Sequence, residues 1–415
     1  MDDFVIVGAG VVGLTLAYEL RQRFPGASIA VVDKEAGPGA HASGRNSGVL
    51  HSGIYYAPGS LKARVCADGA RRMKAFVRER GLALSETGKL IVAPTEQAVP
   101  GLDRLLANAA ANGVNAAFVD EREAAELEPA ARTVGGAIFC PDTATVDPGE
   151  IVSSLAGVLA QRGVRFRWGV RVQGVDEGRR TASSRQGRIR FGFLFNCAGA
   201  YADRIAHLCG CAPRYALVPF RGSYFRVRSD RAPAVSRHVY PVPDLSLPFL
   251  GIHVSRSVHG DLYVGPTALP ALGRENYKGV RGANVRDAAL AAGVAARLYF
   301  RSDGGFRRLV HEEIRNRFRF LAARAAARLV PALRASMLQP TAKVGIRPQL
   351  VQLDTGKLEP DYVVLKAGST LHVLNAVSPG FTSSFAFARL IVDRFMNGRG
   401  DGLCNGESGV ERAPV

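Results

Sequence analysis

Residues 4–7 form an unbroken apolar run, and Gly8-Ala9-Gly10-Val11-Val12-Gly13 cuts it short before an apolar-rich stretch of helical character. That pattern predicts a strand, a sharp turn and a helix. A second apolar run, 28–32, ends at Asp33. Similar runs predict strands at 90–93, 193–198, 217–227, 251–255, 261–264 and 371–374, and 165–175 alternates apolar and polar residues as strands do. Helices are predicted at 97–112, at 147–163, from Tyr201-Ala202-Asp203 onward, and through an Ala-, Leu- and Arg-rich segment reaching Arg334. A closing helix is predicted at 383–397, followed by a Gly-rich, polar and frayed end over 398–415.

Strands and helices in this order predict an α/β (α+β) protein with two discontinuous domains. A Rossmann-like dinucleotide domain takes 1–84, 145–214 and 341–415, and an antiparallel-sheet substrate domain takes 85–144 and 215–340. A chain of 415 residues is long enough for two cores. No stretch has the uninterrupted apolar length of a membrane span, and the start Met1-Asp2-Asp3 lacks the basic residues of a signal peptide. A cytoplasmic location is therefore expected.

Composition changes this picture in two places. The six cysteines are spread thinly and only Cys209-Gly210-Cys211 is close-spaced, so no zinc set is completed and no metal is expected. The formal charge of +18 raises nucleic acid, an anionic membrane or an acidic substrate as partners. Nucleic acid is disfavoured, because the basic residues are scattered and match no nucleic-acid-binding signature. The arginines from Arg297 to Arg334 read first as solvated helix faces. Their minor reading is a weak peripheral contact at the inner face of the membrane.

The first turn carries chemistry. Gly8 makes the tight turn, Gly10 lets a pyrophosphate approach the backbone with Val12 beside it, and Gly13 lets the helix pack on the strand. The helix N-terminus offers free N–H groups and a positive dipole to phosphates. Asp33, twenty residues past Gly13, suits ribose hydroxyls and disfavours a 2′-phosphate. After Asp33-Lys34-Glu35 the chain does not continue as a plain βαβ unit. It runs through Ser43-Gly44-Arg45-Asn46-Ser47-Gly48, a track of small residues that suits the extended ribityl chain of FAD.

HASGRNSGVLHSGIYYAPGSLKAR (41–64) resembles the flavoprotein family of L-2-hydroxyglutarate oxidases and dehydrogenases, within the glycine-oxidase and D-amino-acid-oxidase fold group. TGKLIVA (87–93), NCAGAYADRIA (196–206), VPFRGSYF (218–225), YPVPD (240–244), PFLGIHVSR (248–256), VGPTALPALGRENY (264–277), GIRPQ (345–349) and NAVSPGFTSS (375–384) continue the resemblance in order. Two blocks depart from the family, with Pro348 in place of Ala and Gly380-Phe381 in place of Ala-Ala. Both lie where the resemblance places flavin and substrate, so a different hydroxy acid has room there.

The resemblance implies FAD as cofactor and oxidation of an L-2-hydroxy acid, L-2-hydroxyglutarate by default. It puts Val172 against the adenine, Ala198 and Gly199 at the dinucleotide crevice, and Gly345, Arg347, Gly380, Phe381 and Thr382 around the flavin. A helix starting after Thr382 would stabilise negative charge on the reduced ring, or Thr382 would simply cap it. His51 and His253 are the candidate bases. Arg221, Arg256 and Arg347 are candidate carboxylate clamps, with Lys62 and Arg64 as further cations. Tyr55, Tyr56 and Tyr224 could supply hydroxyls. Oxygen or a quinone is the expected electron acceptor. An amine or amino-acid oxidase on the same fold is the alternative, and a non-enzymatic basic binding protein is the third reading.

Overall fold

The structure is a computed structural model and describes residues 1–245, 250–301 and 306–396. The first strand, Asp2–Val7, pairs in parallel with Ile29–Val32 on one side and Gly187–Asn196 on the other. Arg165–Arg167 and Thr370–Val373 extend this parallel set at its two ends. Phe4, Ile6, Ile29 and Val31 face one apolar cluster, while Val5, Val7, Ala30 and Val32 face another. Both faces of the sheet are therefore covered, which is why these strands read as continuous apolar runs. The helices Val11–Arg23, Pro148–Gln161 and Ser384–Phe395 supply much of the first cover.

The second sheet, nine strands among the described residues, is mostly antiparallel. Its spine is Tyr215–Val227 against Leu338–Gln352, in register at Phe220 with Arg347 and at Gly222 with Gly345. Residues 341–352, expected in the dinucleotide part, thus hydrogen-bond into this second sheet. Helices Val285–Arg301, Phe306–Asn316 and Arg319–Ala327 pack beside it. A small three-stranded sheet (Val49–Leu50, Ala144–Val146, Leu84–Ser85) lies between the two large ones in the chain's path.

Two expectations are revised. The strand expected over 165–175 splits into Arg165–Arg167 and Gly174–Asp176. Between them the backbone leaves the sheet, and the N–H groups of Gly169 and Val170 donate to the carbonyls of Glu35 and Asp33. The segment beyond Leu61, for which the apolar pattern predicts no element, is a 19-residue helix, Leu61–Glu79, capped by the Ser60 hydroxyl. The frayed end expected over 398–415, and Asn397 and Pro248 with it, lie outside the described residues.

Candidate active site

Gly8 sits at φ +111°, a conformation that side chains rarely adopt, and a Cβ on Gly13 would lie 2.0 Å from the Gly8 carbonyl. The strand can therefore turn into the helix Val11–Arg23 only with glycine at both places. Gly10 occupies the helix's N-cap position and brings no side chain of its own to that end. The Ser43 hydroxyl accepts from Val11 N at 2.9 Å, tying the small-residue loop to the same turn. The Asp33 carboxylate accepts from Ala9 N at 2.7 Å and from Glu35 N at 2.9 Å.

Around this turn lies a chamber of about 360 Å³, walled by Gly8, Gly10, Asp33, Lys34, Ser43, Val172, Ala198 and Gly199. Lys34 bridges Glu35 and Glu275, the latter at 2.7 Å. A second chamber of about 270 Å³ shares Gly10, Ser43, Cys197, Gly199 and Ile346 with the first. Its walls include Val12, Arg45, Asn46 and Ser47 from the first half of the fold. Gly345 and Arg347 close it from the second sheet, and Gly380, Phe381 and Thr382 from the turn before the helix Ser384–Phe395. Gly44 and Gly48 shape the loop without lining either chamber: Gly44 N donates to Gly39 O at 2.9 Å, and Gly48 N to Asn46 Oδ1 at 2.9 Å. One elongated chamber, with the N-terminus of the helix Val11–Arg23 at one end and a track of small residues leading to the other, fits an extended dinucleotide such as FAD.

His51, Tyr224 and His253 line the inner chamber with Arg347. The His253 ring stacks on Tyr240 at 3.8 Å and its Nδ1 donates to the Gly251 carbonyl at 3.1 Å. A neutral ring held by that bond carries its lone pair on Nε2. Burial pushes His253 down to about 3 and holds His51 well below the ordinary histidine range, with the nearby Lys89 charge acting on both. Each is therefore an unprotonated base at neutral pH. The His51 backbone N–H donates to Thr382 Oγ1 at 3.2 Å, and that hydroxyl in turn reaches Val49 O at 3.4 Å. Thr382 thus joins the opening loop to the closing turn instead of capping its helix, whose N-cap residue, Ser383, makes no side-chain cap bond.

Strand alternation distributes the expected cations. Phe220, Gly222 and Tyr224 line the chamber, so Arg221 points to the other face, and it is absent from the lining. Arg347 pairs across the ladder with Phe220 and shares its face. Arg256 lies on the face opposite His253, exposed, with Nη1 on Val235 O at 3.1 Å. The helix Leu61–Glu79 turns Arg64 to solvent and leads the Lys62 ammonium to the Pro360 carbonyl at 2.5 Å. Tyr55 and Tyr56 lie behind the lining. Burial raises both phenols, while Tyr56 bonds Ser378, which does line the chamber. Arg347 and Arg45 are thus the guanidinium groups among the chamber's described lining residues.

Three groups carry no sequence signal of their own. Tyr240 supports His253. Glu313 lines the inner chamber from the helix Phe306–Asn316, accepts from Ala268 N, and is pushed up to about 7 by burial. Lys89 opens the strand Lys89–Val92 fully buried. In a sequence, a lone charged residue in an amphipathic helix or at a strand end reads as surface.

The FAD dependent oxidoreductase family matches residues 3–394. The L-2-hydroxyglutarate dehydrogenase of Escherichia coli (strain K12) is 34% identical over 405 residues, covering 95% of this chain and 93% of that protein. The mitochondrial L-2-hydroxyglutarate dehydrogenase of Homo sapiens is 33% identical over 414 residues, covering 94% and 88%. Among solved structures, the dithionite-reduced, FAD-bound L-alpha-glycerophosphate oxidase of Mycoplasma pneumoniae superimposes with a TM-score of 0.73 at 22% identity, covering 95% of this chain and 94% of that one. Glycine oxidase from Geobacillus kaustophilus gives 0.71 at 20% identity, covering 100% and 99%. At such identities the structural likeness speaks for the fold alone.

Proposed function

The chain belongs to the family of FAD-dependent oxidoreductases that includes the L-2-hydroxyglutarate dehydrogenases, and from that premise we propose that it oxidises an L-2-hydroxy acid, L-2-hydroxyglutarate foremost, to the 2-oxo acid. The observation that carries the reading is the meeting of two neutral histidines and Arg347 in the inner chamber, at the far end of the dinucleotide site. FAD, when bound, supplies acceptance of a hydride from the substrate's C2 at its N5.

The protein's own part is orientation and proton removal. Arg347 grips the carboxylate next to the reacting carbon, where a planar guanidinium can bind two oxygens at once. His253 Nε2 accepts the hydroxyl proton as the C2–H bond breaks, and His51 holds the substrate from the loop that Thr382 pins. Tyr224, whose phenol burial pushes up to about 12, stays protonated and donates a hydrogen bond. Walls of Val377, Phe381 and Phe220 keep water from the reacting atoms.

The domain division at 1–84, 145–214 and 341–415 against 85–144 and 215–340 belongs to this proposal, with the boundary near 341 moved so that 338–352 joins the substrate-facing sheet. So does the electron acceptor, oxygen or a quinone. The second part is a weak contact with an anionic membrane surface. Phe300, Phe318 and Phe320 are exposed close in sequence to the exposed Arg301, Arg307, Arg315, Arg317 and Arg319, the mix of apolar and basic side chains that an anionic membrane surface attracts. No helix among the described residues is long and apolar enough to cross a membrane. Anaerobic mixing of the FAD-loaded protein with L-2-hydroxyglutarate tests the main reading through bleaching of the flavin absorbance. Bleaching by amino acids alone would overturn it.

A further inference from the structure

Lys89 is a charge buried away from any ion pair. It is 0% exposed, and its ammonium has no hydrogen-bond partner. It is held instead over the ring of Tyr55, 4.3 Å from the centroid, and over that of Tyr240 at 5.4 Å. Burial lowers the Lys89 pKa from its ordinary value, and the two electron-rich faces around the ammonium oppose that by stabilising its charged form. Tyr240 in turn stacks on His253. The order Tyr55, Lys89, Tyr240, His253 is therefore a continuous stack that ends on the wall of the inner chamber.

Among the described residues no carboxylate acts on Lys89. From the loop after Leu50 come His51 and Tyr55, from the helix Leu61–Glu79 comes Cys66, and from the strand Ala137–Cys140 comes Cys140. From His238–Pro241 come His238 and Tyr240, from His253–Arg256 comes His253, and from Leu338–Gln352 comes Arg347. The groups acting on Lys89 are the two thiols, both kept protonated by burial, and no carboxylate is among them. Three histidines feel its charge. Two of these line the redox chamber. Burying a cation without a partner is costly, and an apolar side chain of the same length would serve the fold better.

We propose that Lys89 is a positioning residue for proton abstraction: its ammonium, caged between Tyr55 and Tyr240 behind the chamber wall, adds to burial in holding His51 and His253 ready to accept the substrate's hydroxyl proton. Lys89 itself touches neither substrate nor flavin and transfers no proton. The inference rests on the reading of the chamber as a hydroxy-acid site, and two readouts keep the two claims separable.

In FAD-loaded wild type, histidine ring nitrogens followed by NMR from about pH 3 to pH 8 should show His51 and His253 neutral throughout the upper part of that range, down to about pH 5. In Lys89→Met both should titrate higher by about one pH unit or more. The acid limb of anaerobic flavin reduction by L-2-hydroxyglutarate should move up with them, while FAD content is retained and thermal stability does not fall. A wild type that hydroxy acids do not reduce would sink the functional reading and leave the titration to judge Lys89. Unchanged histidine titration in Lys89→Met, with wild type reducing normally, would overturn the inference. If Lys89→Met does not fold, wild type alone decides: either histidine titrating near 6.5 would overturn it.

Discussion

In the proposed reaction His253 carries the proton transfer, because two neighbours and its burial fix its state. Gly251 fixes the tautomer, Tyr240 the plane, and burial the charge. His253→Ala should therefore retain FAD and lower the rate of flavin reduction by about 10²–10⁴-fold, the usual worth of a general base. His51→Ala should retain FAD as well and give a smaller loss, with KM raised, as expected of an orienting group. Stopped-flow reduction of the two variants separates these roles; equal loss in both would place the proton on either ring. The buried histidines also set acid stability. His238 and His253 are pushed down to about 3, so between that pH and the ordinary 6.5 the unfolded chain binds protons that the folded chain does not. Stability must then fall as pH drops through that window, by about 2 kcal/mol for each histidine at pH 5 relative to pH 8. Calorimetry at the two pH values checks it.

Between residues and the whole chain, the closing turn and the opening loop act as one unit through Thr382. Thr382→Val keeps the volume but removes the acceptor of the His51 N–H, a bond worth about 1 kcal/mol. Reduction should slow several-fold with FAD still bound; an unchanged rate would mean that the loop is held by its other contacts. At this scale the sequence was readable where one local rule dictates the residue. The glycine turn and Asp33 are of that kind, since the backbone geometry there allows little else. The charged residues were not. Arg221 and Arg347 differ only in which face of a ladder they occupy, and the register that decides it comes from pairing between Tyr215–Val227 and Leu338–Gln352, more than a hundred residues apart in sequence. Lys62 and Arg64 belong to a helix whose buried face, Val65, Cys66, Met73, Phe76 and Val77, becomes clear only against the core it meets. Lys89 and Glu313 are the converse case, charges buried where local pattern implies a surface.

For the molecule as a whole, charge and cofactor couple to the fold in separate ways. The arginines beside Phe300, Phe318 and Phe320 predict binding to vesicles rich in anionic lipid that weakens as salt rises past the physiological range, and none to neutral vesicles. Cosedimentation checks this without any assay of activity. On the proposed site FAD would fill a chamber walled by both halves of the fold, so its removal should lower the melting temperature, by several degrees if FAD is present at about 100 times its dissociation constant or more. The central claim is that the inner chamber oxidises a hydroxy acid. It is tested most directly by anaerobic titration of the FAD-loaded protein with L-2-hydroxyglutarate, other L-2-hydroxy acids and amino acids, read as flavin bleaching. The account predicts stoichiometric bleaching by L-2-hydroxy acids with formation of the 2-oxo acid. Bleaching by amino acids with none by any hydroxy acid would contradict it.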